Sequence, residues 1–230
     1  MNTMLRRRRS AIALLASVPF MSVGVVAFLL FPSGTAGQII LALCQLWLLS
    51  VPVVWLCQVE RGPFQVSKPK RVDFVMGGIV GLLMFFIILA AYELLLKHWI
   101  DSSSVQDVLA QVGGFTPVTF WLGGIYFSFV NALIEEYFWR WFVFSRCEEL
   151  LPTKAAVAVS ALFFTLHHTI GLAAFAVGWR VVVVGSLAVF VAGVVWSVTY
   201  QQFRSVWGSY VSHAIADIAL HIVAWQVFFR

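Results

Sequence analysis

Seven long apolar stretches dominate this sequence and restrict the folds open to it. A membrane-spanning helix needs about 20 consecutive apolar residues, and each stretch comes close to that length. Hydrophobic residues make up 61% of the 230 residues and charged residues 11%, against about 45–50% and 25% in soluble domains. The sequence therefore predicts an all-α, polytopic transmembrane helix bundle. The predicted spans are 11–31, 37–59, 74–96, 118–144, 155–177, 181–200 and 206–229.

The predicted number of spans is seven, within a range of six to eight. The turn at 178–180 is short, so either segment beside it could be re-entrant rather than spanning. Seven spans occupy about 140 residues and leave only about 90 for tails and loops. We therefore expect a basic leader at 1–10, a region of three spans and loops at 11–117, and a second membrane region at 118–230, with any active site inside the bundle.

The basic residues fall mainly on one side of the predicted bundle, and cytoplasmic loops are enriched in Lys and Arg. This predicts a cytoplasmic N-terminus, with the C-terminus outside when there are seven spans. The first stretch is longer than the 7–15 apolar residues of a signal peptide, so we interpret it as a retained helix in a prokaryotic plasma membrane. Basic runs that flank apolar segments orient helices, and we therefore expect no nucleic-acid partner. The expected cytoplasmic residues are Arg6, Arg7, Arg8, Arg9, Arg61, Lys68, Lys70, Arg71, Arg146, Lys154 and Arg204, against Lys97, Arg180 and Arg230 outside.

Several residue groups are given structural interpretations only. The polar segment 97–117, which includes Gly113 and Gly114, predicts a surface helix outside the membrane. The three cysteines share no CxxC spacing, so they predict neither a disulfide framework nor a thiolate metal site. The 10 tryptophans and 21 phenylalanines are interpreted as mostly lipid-facing or interfacial, with no chemical role.

Ionisable residues inside three of the predicted spans indicate a functional site. Such groups cost several kcal/mol in a bilayer and usually mark function. At 1.5 Å per residue, the fourth, fifth and seventh spans place them about 10–20 Å from the cytoplasmic helix ends. We therefore expect them to meet in one cavity open to the cytoplasm. They are Glu135, Glu136 and Arg140, then His167 and His168, and finally His213, Asp217 and His221.

Helical spacing predicts which of these groups are neighbours. Glu136 and Arg140 are four residues apart, share a face and can pair. Glu135 lies about 100° around the helix and has no obvious partner on its own helix. Asp217 lies one turn from His213 and is expected to orient that ring, although a protonated Asp217 could instead donate a hydrogen bond.

The two adjacent histidines also point about 100° apart, so we expect one of them to serve in helix packing. His221 is interpreted as structural. A carboxylate with imidazoles in a secluded pocket is suited to activating water, because it offers a base and donors for a developing oxyanion. Two other classes stay open: a haem-binding membrane protein, which leaves the fourth-span charges unexplained, and a proton transporter, which typically has broken helices at its site.

These residues resemble the motifs of the CPBP family, the CAAX protease and bacteriocin-processing (Abi) intramembrane proteases that include the type II CAAX prenyl endopeptidases. The family's Glu-Glu-x-x-x-Arg is matched by residues 135–140. Its Phe-x-x-x-His fits Phe164 to His168 or, one residue earlier, Phe163 to His167. Its His-x-x-x-Asn or Asp fits His213 to Asp217. The resemblance covers about residues 118–225, so 118–230 is predicted to be the protease core.

The resemblance implies an intramembrane endopeptidase that acts on a membrane-associated peptide or protein. Glu135 with His168 would activate water, His213 and Asp217 would bind the oxyanion, and Glu136 with Arg140 would brace the site. This mechanism needs no cofactor, but His, His and Glu could instead ligate one zinc ion. For a prokaryotic protein we expect a bacterial peptide precursor or an anchored protein as substrate. A non-catalytic scaffold of the same family is the remaining alternative.

Overall fold

A computed structural model describes residues 3–31, 35–62, 65–112, 116–175 and 178–229. Within these ranges the chain is helical and contains no strand. Among the described residues, seven helices are long and apolar enough to cross a membrane, which confirms the predicted fold class and the predicted number of spans. Gly113, Gly114 and Arg230 lie outside the described residues. The seven helices are Thr3–Leu30, Thr35–Glu60, Arg71–His98, Pro117–Leu150, Thr153–Ala174, Trp179–Phe203 and Val206–Phe229.

The first three spans are built from four α-helices. The first consists of α1 (Thr3–Ser17) and α2 (Pro19–Leu30), which meet at a proline, a residue that lacks the N–H of a helical hydrogen bond. The second is α3 (Thr35–Val54), which continues as π-helical turns over Trp55–Glu60. The third is α4 (Arg71–Leu94), followed by a 3₁₀ turn. Residues 3–10 of the predicted leader are thus part of α1.

The predicted surface helix is present as α5 (Ser102–Val112). Asp101 directly precedes α5 and accepts hydrogen bonds from the hydroxyls of Ser103 (2.7 Å) and Ser104 (2.8 Å) in its first turn. These bonds lower the pKa of Asp101. One face of α5 buries Val105 and Leu109 against Tyr92 of α4 and the end of the last span. The helix is therefore confirmed, and its side of the membrane stays a prediction.

One long helix, Pro117–Leu150, forms the centre of the bundle, and we call it the site helix. It begins as α6 (Pro117–Ile125) and ends as α8 (Ser145–Leu150), with α7 (Ala132–Glu136) in the middle. Two π-helical segments, Tyr126–Asn131 and Tyr137–Phe144, flank α7. Such wide turns are rare in proteins, and those that occur often lie at functional sites. A regular α-helix was predicted over the whole segment, whereas the two glutamates lie in a short α-helical stretch with wide turns on both sides.

The last three spans are α9 (Thr153–Ala174), α10 (Trp179–Phe203) and α11 (Val206–Phe229). Helices α9 and α10 pack along each other and both are long enough to span. Gly178, just before α10, has φ +86, a conformation that glycine adopts without strain.

Close packing between α4 and α11 fixes the position of the last span. A Cβ atom on Gly77 would lie 2.5 Å from the carbonyl oxygen of Gly208, and one on Gly81 would lie 2.9 Å from Cβ of Ile215. Small residues allow helix backbones to approach in this way. Helix α4 therefore supports α11 directly behind the turn that carries His213.

The N-terminal helix is fastened to the far end of the site helix. Arg6 forms an ion pair with Glu149, with Nη2 2.9 Å from Oε1. Arg7 donates from Nη2 to the carbonyl oxygen of Leu150 at 2.9 Å, and the hydroxyl of Ser10 also donates to Glu149. These contacts join the start of α1 to the end of the site helix, and the sequence predicts that both helix ends face the cytoplasm.

Candidate active site

Three imidazole rings surround the carboxylate of Glu135, which is 3% exposed. Nε2 of His167 lies 3.6 Å from Oε1, Nε2 of His168 lies 3.9 Å from Oε2, and Nε2 of His213 lies 3.8 Å from Oε2. Glu135, His168 and His213, from three helices, are thus brought to one place, as expected. These separations exceed direct hydrogen-bond lengths, so the carboxylate keeps acceptor capacity for water or substrate.

Glu135 has a partner on its own helix that the sequence analysis missed. The side chain of Asn131 donates from Nδ2 to Oε1 of Glu135 at 3.0 Å. Asn131 is 7% exposed and lies one turn earlier. The hydrogen bond fixes one carboxylate oxygen and leaves Oε2 directed at His168 and His213. An amide four residues before a carboxylate, inside an apolar stretch, was the available signal.

Both adjacent histidines approach Glu135, whereas only one was expected to face the site. Their ring centroids are 4.1 Å apart. His167 is buried and stacks on the indole of Trp139, with an interplanar angle of 3°. The side chain of His168 is 33% exposed. His168 is therefore the more accessible of the two, and His167 combines packing with proximity to the carboxylate.

His213 is held by Glu136 rather than by Asp217. Its Nδ1 lies 2.9 Å from Oε1 of Glu136, and since an ionised carboxylate only accepts, the Nδ1–H donates. Asp217 is close to the opposite nitrogen, with Oδ1 3.7 Å from Nε2, and makes no hydrogen bond to the ring. The predicted orienting role of Asp217 is thus filled by another helix, because α7 packs against α11 and helical spacing reports only neighbours within one helix.

Glu136 and Arg140 form the predicted ion pair, with Nε 3.2 Å from Oε2. Both side chains are fully buried. The guanidinium carbon lies 4.6 Å from the ring centroid of Phe164 and 5.2 Å from that of Trp196, so two aromatic faces supply favourable cation–π contacts. Glu136 therefore joins the arginine to the histidine of α11.

Two tryptophans contact the site, although the tryptophans were predicted to be mostly lipid-facing. Trp139 is 1% exposed and Trp196 is 4% exposed. Trp196 stacks on His213 with 4.1 Å between ring centroids. For these two residues the expectation is wrong, since nothing in an apolar stretch distinguishes a tryptophan that faces lipid from one that faces a buried imidazole.

His221 does not reach the site, in agreement with its structural interpretation. Its Nδ1–H donates to the backbone carbonyl of Asp217 on its own helix at 2.8 Å. The ring packs against Gly124, where a Cβ atom would lie 2.8 Å from Cδ2, and beside Phe120. It helps to fit α11 against α6.

The predicted alternative of one zinc ion fits the donor atoms present. Glu135, His167 and His168 each offer a ligand atom, and these atoms all lie within 4.8 Å of one another. Imidazole nitrogen and carboxylate oxygen are usual zinc ligands. Nε2 of both histidines lacks a hydrogen-bond partner, so the two nitrogens are available to coordinate.

Comparison with known families identifies the part of the chain that contains the site. Residues 117–219 match the family model for the type II CAAX prenyl endopeptidase Rce1-like domain. No curated protein and no solved structure matches the chain. The match runs from the start of the site helix into α11 and includes every candidate site residue. The resemblance to the CPBP family is thereby confirmed.

Proposed function

We propose, on the premise that residues 117–219 form an Rce1-like endopeptidase domain, that this membrane protein hydrolyses a peptide bond by activating water with Glu135. The family supports a CAAX-type intramembrane endopeptidase in general. The observation that carries the proposal is the Glu135 carboxylate, buried in a membrane-spanning helix with three imidazole nitrogens within 4 Å. A secluded base beside several imidazoles is suited to proton transfer during hydrolysis.

Glu135 is proposed to take a proton from the attacking water while His168 orients that water. The oxygen of the water bonds to the scissile carbonyl carbon, and the C–N bond then breaks as the proton passes to the leaving amine. His168 suits this role because it is the accessible member of the histidine pair, with 33% of its side chain exposed. Asn131 holds Oε1 of Glu135, which leaves Oε2 for the proton.

His213 is proposed to stabilise the oxyanion from Nε2. Because Nδ1–H donates to Glu136, Nε2 donates only when the ring is a cation. The carboxylate of Glu136 stabilises that cation, and the neighbouring Arg140 balances the charge of Glu136 when the ring is neutral. Asp217 lies beside Nε2 and adds to the negative surroundings of the cation.

The metal-dependent alternative uses the same residues. Glu135, His167 and His168 would hold the zinc ion, which supplies a Lewis acid that acidifies bound water. His213 and Glu136 lie outside this ligand set and keep their proposed roles. The two versions differ in one measurable property, the retention of activity after the protein has been stripped of metal.

The proposed substrate is a membrane-associated peptide precursor or anchored protein in a prokaryotic plasma membrane, with the N-terminus of the enzyme in the cytoplasm. The basis is the run of four arginines ahead of the first span, which orients a helix with that end inside. A site buried between spanning helices is reached most directly by a substrate that already lies in the bilayer.

The test is cleavage of membrane-anchored peptides by the purified protein in lipid nanodiscs. We expect cleavage by the wild type, none by Glu135→Ala, and wild-type rates for the control Glu93→Ala, whose carboxylate lies at an exposed helix end paired with Lys97. The wild type, prepared in a strong chelator and free of bound metal, should retain its rate. Equal cleavage by wild type and Glu135→Ala would exclude the proposal, and loss of activity on stripping that zinc restores would establish the metal-dependent version.

A further inference from the structure

Trp196 contacts the proposed oxyanion-binding histidine, yet it lies outside all three motifs. Its indole stacks on the imidazole of His213 at 4.1 Å between centroids and 18° between planes. Trp196 is 4% exposed and His213 is 3% exposed. The two rings therefore meet in the interior of the bundle and not on its lipid-facing surface.

The hydrogen bond to Glu136 fixes only part of the orientation of the His213 ring. One bond at Nδ1 sets the direction of one edge, but the ring can still tilt about the axis through that bond. Tilting moves Nε2, the atom proposed to meet the oxyanion. A rigid aromatic face packed parallel to the imidazole opposes the tilt, since stacked pairs lose contact as their planes diverge.

Trp196 is itself held in position. Its Nε1–H donates to the hydroxyl of Ser212 at 3.1 Å, and Ser212 directly precedes His213 in α11. The Ser212 hydroxyl lies 3.6 Å from the sulfur of Met84 in α4. The indole is thus tied to the same helix turn as the ring it supports.

We propose that Trp196 is a positioning residue that fixes the direction of His213 Nε2 for the reaction. The inference rests on the proposed function, because it assumes that Nε2 of His213 serves the reacting group. It assigns to α10, which carries none of the motif residues, a direct part in the geometry of the site. Misplacing a catalytic group by about 1 Å lowers rates by about 10²-fold, which sets the scale of the expected effect.

The activity test compares two substitutions at Trp196 with a control on the same helix. Trp196→Leu removes the aromatic face and should lower kcat about 10-fold to 100-fold with KM nearly unchanged. Trp196→Phe keeps a stacking ring and should stay within about threefold of wild type. Trp179→Leu, at the exposed first residue of α10 (73% exposed), should match wild type. Thermal unfolding of each variant shows whether lost activity reflects lost fold.

Two outcomes would overturn the proposal in this assay. One is a wild-type kcat in folded Trp196→Leu. The other is an equal loss in Trp196→Phe and Trp196→Leu, which would indicate that the volume or the N–H of tryptophan matters rather than its stacking face. If Trp196→Leu does not fold, Ser212→Ala replaces it, because this change frees the indole without removing it. We then expect a loss of about two- to fivefold in kcat, and an unchanged kcat would count against the proposal.

A second readout does not depend on proteolysis. In histidine-labelled protein, the ring current of the indole should shift the carbon-bound ring protons of His213 upfield, and Nδ1–H should exchange slowly. Trp196→Leu should abolish the upfield shift while Nδ1–H, still bonded to Glu136, exchanges slowly, and Trp196→Phe should keep both signatures. Absence of these signatures in the wild type would refute the positioning role. Their presence in a protein that cleaves no peptide would leave the geometry established and place the failure in the proposed function.

Discussion

The two halves of the molecule satisfy their buried carboxylates differently. In residues 3–112, the buried carboxylate of Asp73 accepts a hydrogen bond from the backbone N–H of Lys70 at its own helix start. In residues 116–229, Glu136 and His213 meet across two helices. Local bonds satisfy a helix by itself, whereas bonds between helices require one particular tertiary arrangement. The candidate site thus lies in the second half, where buried carboxylates meet side chains of other helices.

The largest expected difference between the two halves comes from removing the carboxylate of Glu135. Glu135→Gln keeps shape and the contact with Asn131 but removes the base, so we expect a loss of about 10²–10⁴-fold in kcat without unfolding. His168→Ala should likewise abolish proteolysis in a folded protein. The matched change in the first half, Glu93→Gln, should leave the rate unchanged. Substantial activity in Glu135→Gln would transfer the role of base to another group.

Arg140→Ala is expected to cost stability as well as activity. It leaves Glu136 as a buried carboxylate without its cation and creates a cavity beside Phe164 and Trp196, and breaking a buried pair costs about 3–5 kcal/mol. The control is Arg204→Ala, which removes an exposed pair with Glu148 (2.5 Å), where the cost should be about 0–1 kcal/mol. Chemical unfolding in detergent micelles measures both. Equal stability of the two variants would mean that Arg140 does not brace the fold.

Glu136 and Asp217 offer a comparison within the second half. Because Glu136 makes the hydrogen bond to His213, Glu136→Gln should lower kcat about 10-fold to 100-fold. Asp217→Asn, which removes a carboxylate 3.7 Å from Nε2, should reduce it less than about threefold. A larger effect from Asp217→Asn would reverse this order and restore the orienting role that the sequence predicts for Asp217.

The smallest expected effect comes from neighbouring glycines in the first half. A Cβ atom on Gly77 would overlap the backbone of α11, whereas one on Gly78 would have no atom within 4 Å. Gly77→Ala should therefore destabilise by about 1–3 kcal/mol, and Gly78→Ala should change the free energy of unfolding by less than about 0.5 kcal/mol. Thermal unfolding of the pair reports the packing contribution of α4. Identical melting would show that α4 and α11 are not in close contact.

Much of this architecture follows from composition and spacing. Long apolar stretches predict the seven spans, and the i,i+4 spacing of Glu136 and Arg140 predicts their pair. Spacing does not report the partner of His213, because that partner belongs to another helix and depends on how α7 meets α11. It also does not distinguish Trp196 from a lipid-facing tryptophan, because an indole suits both surroundings.

The contact between Arg6 and Glu149 has a consequence for biogenesis. The two residues are 143 positions apart, so at about 5–20 residues per second the ribosome delivers the acidic partner roughly 7–30 seconds after the basic one. During this interval the first helix has been synthesised but Glu149 has not. The ion pair can contribute only after the site helix has been synthesised, when it holds the first helix against the end of that helix.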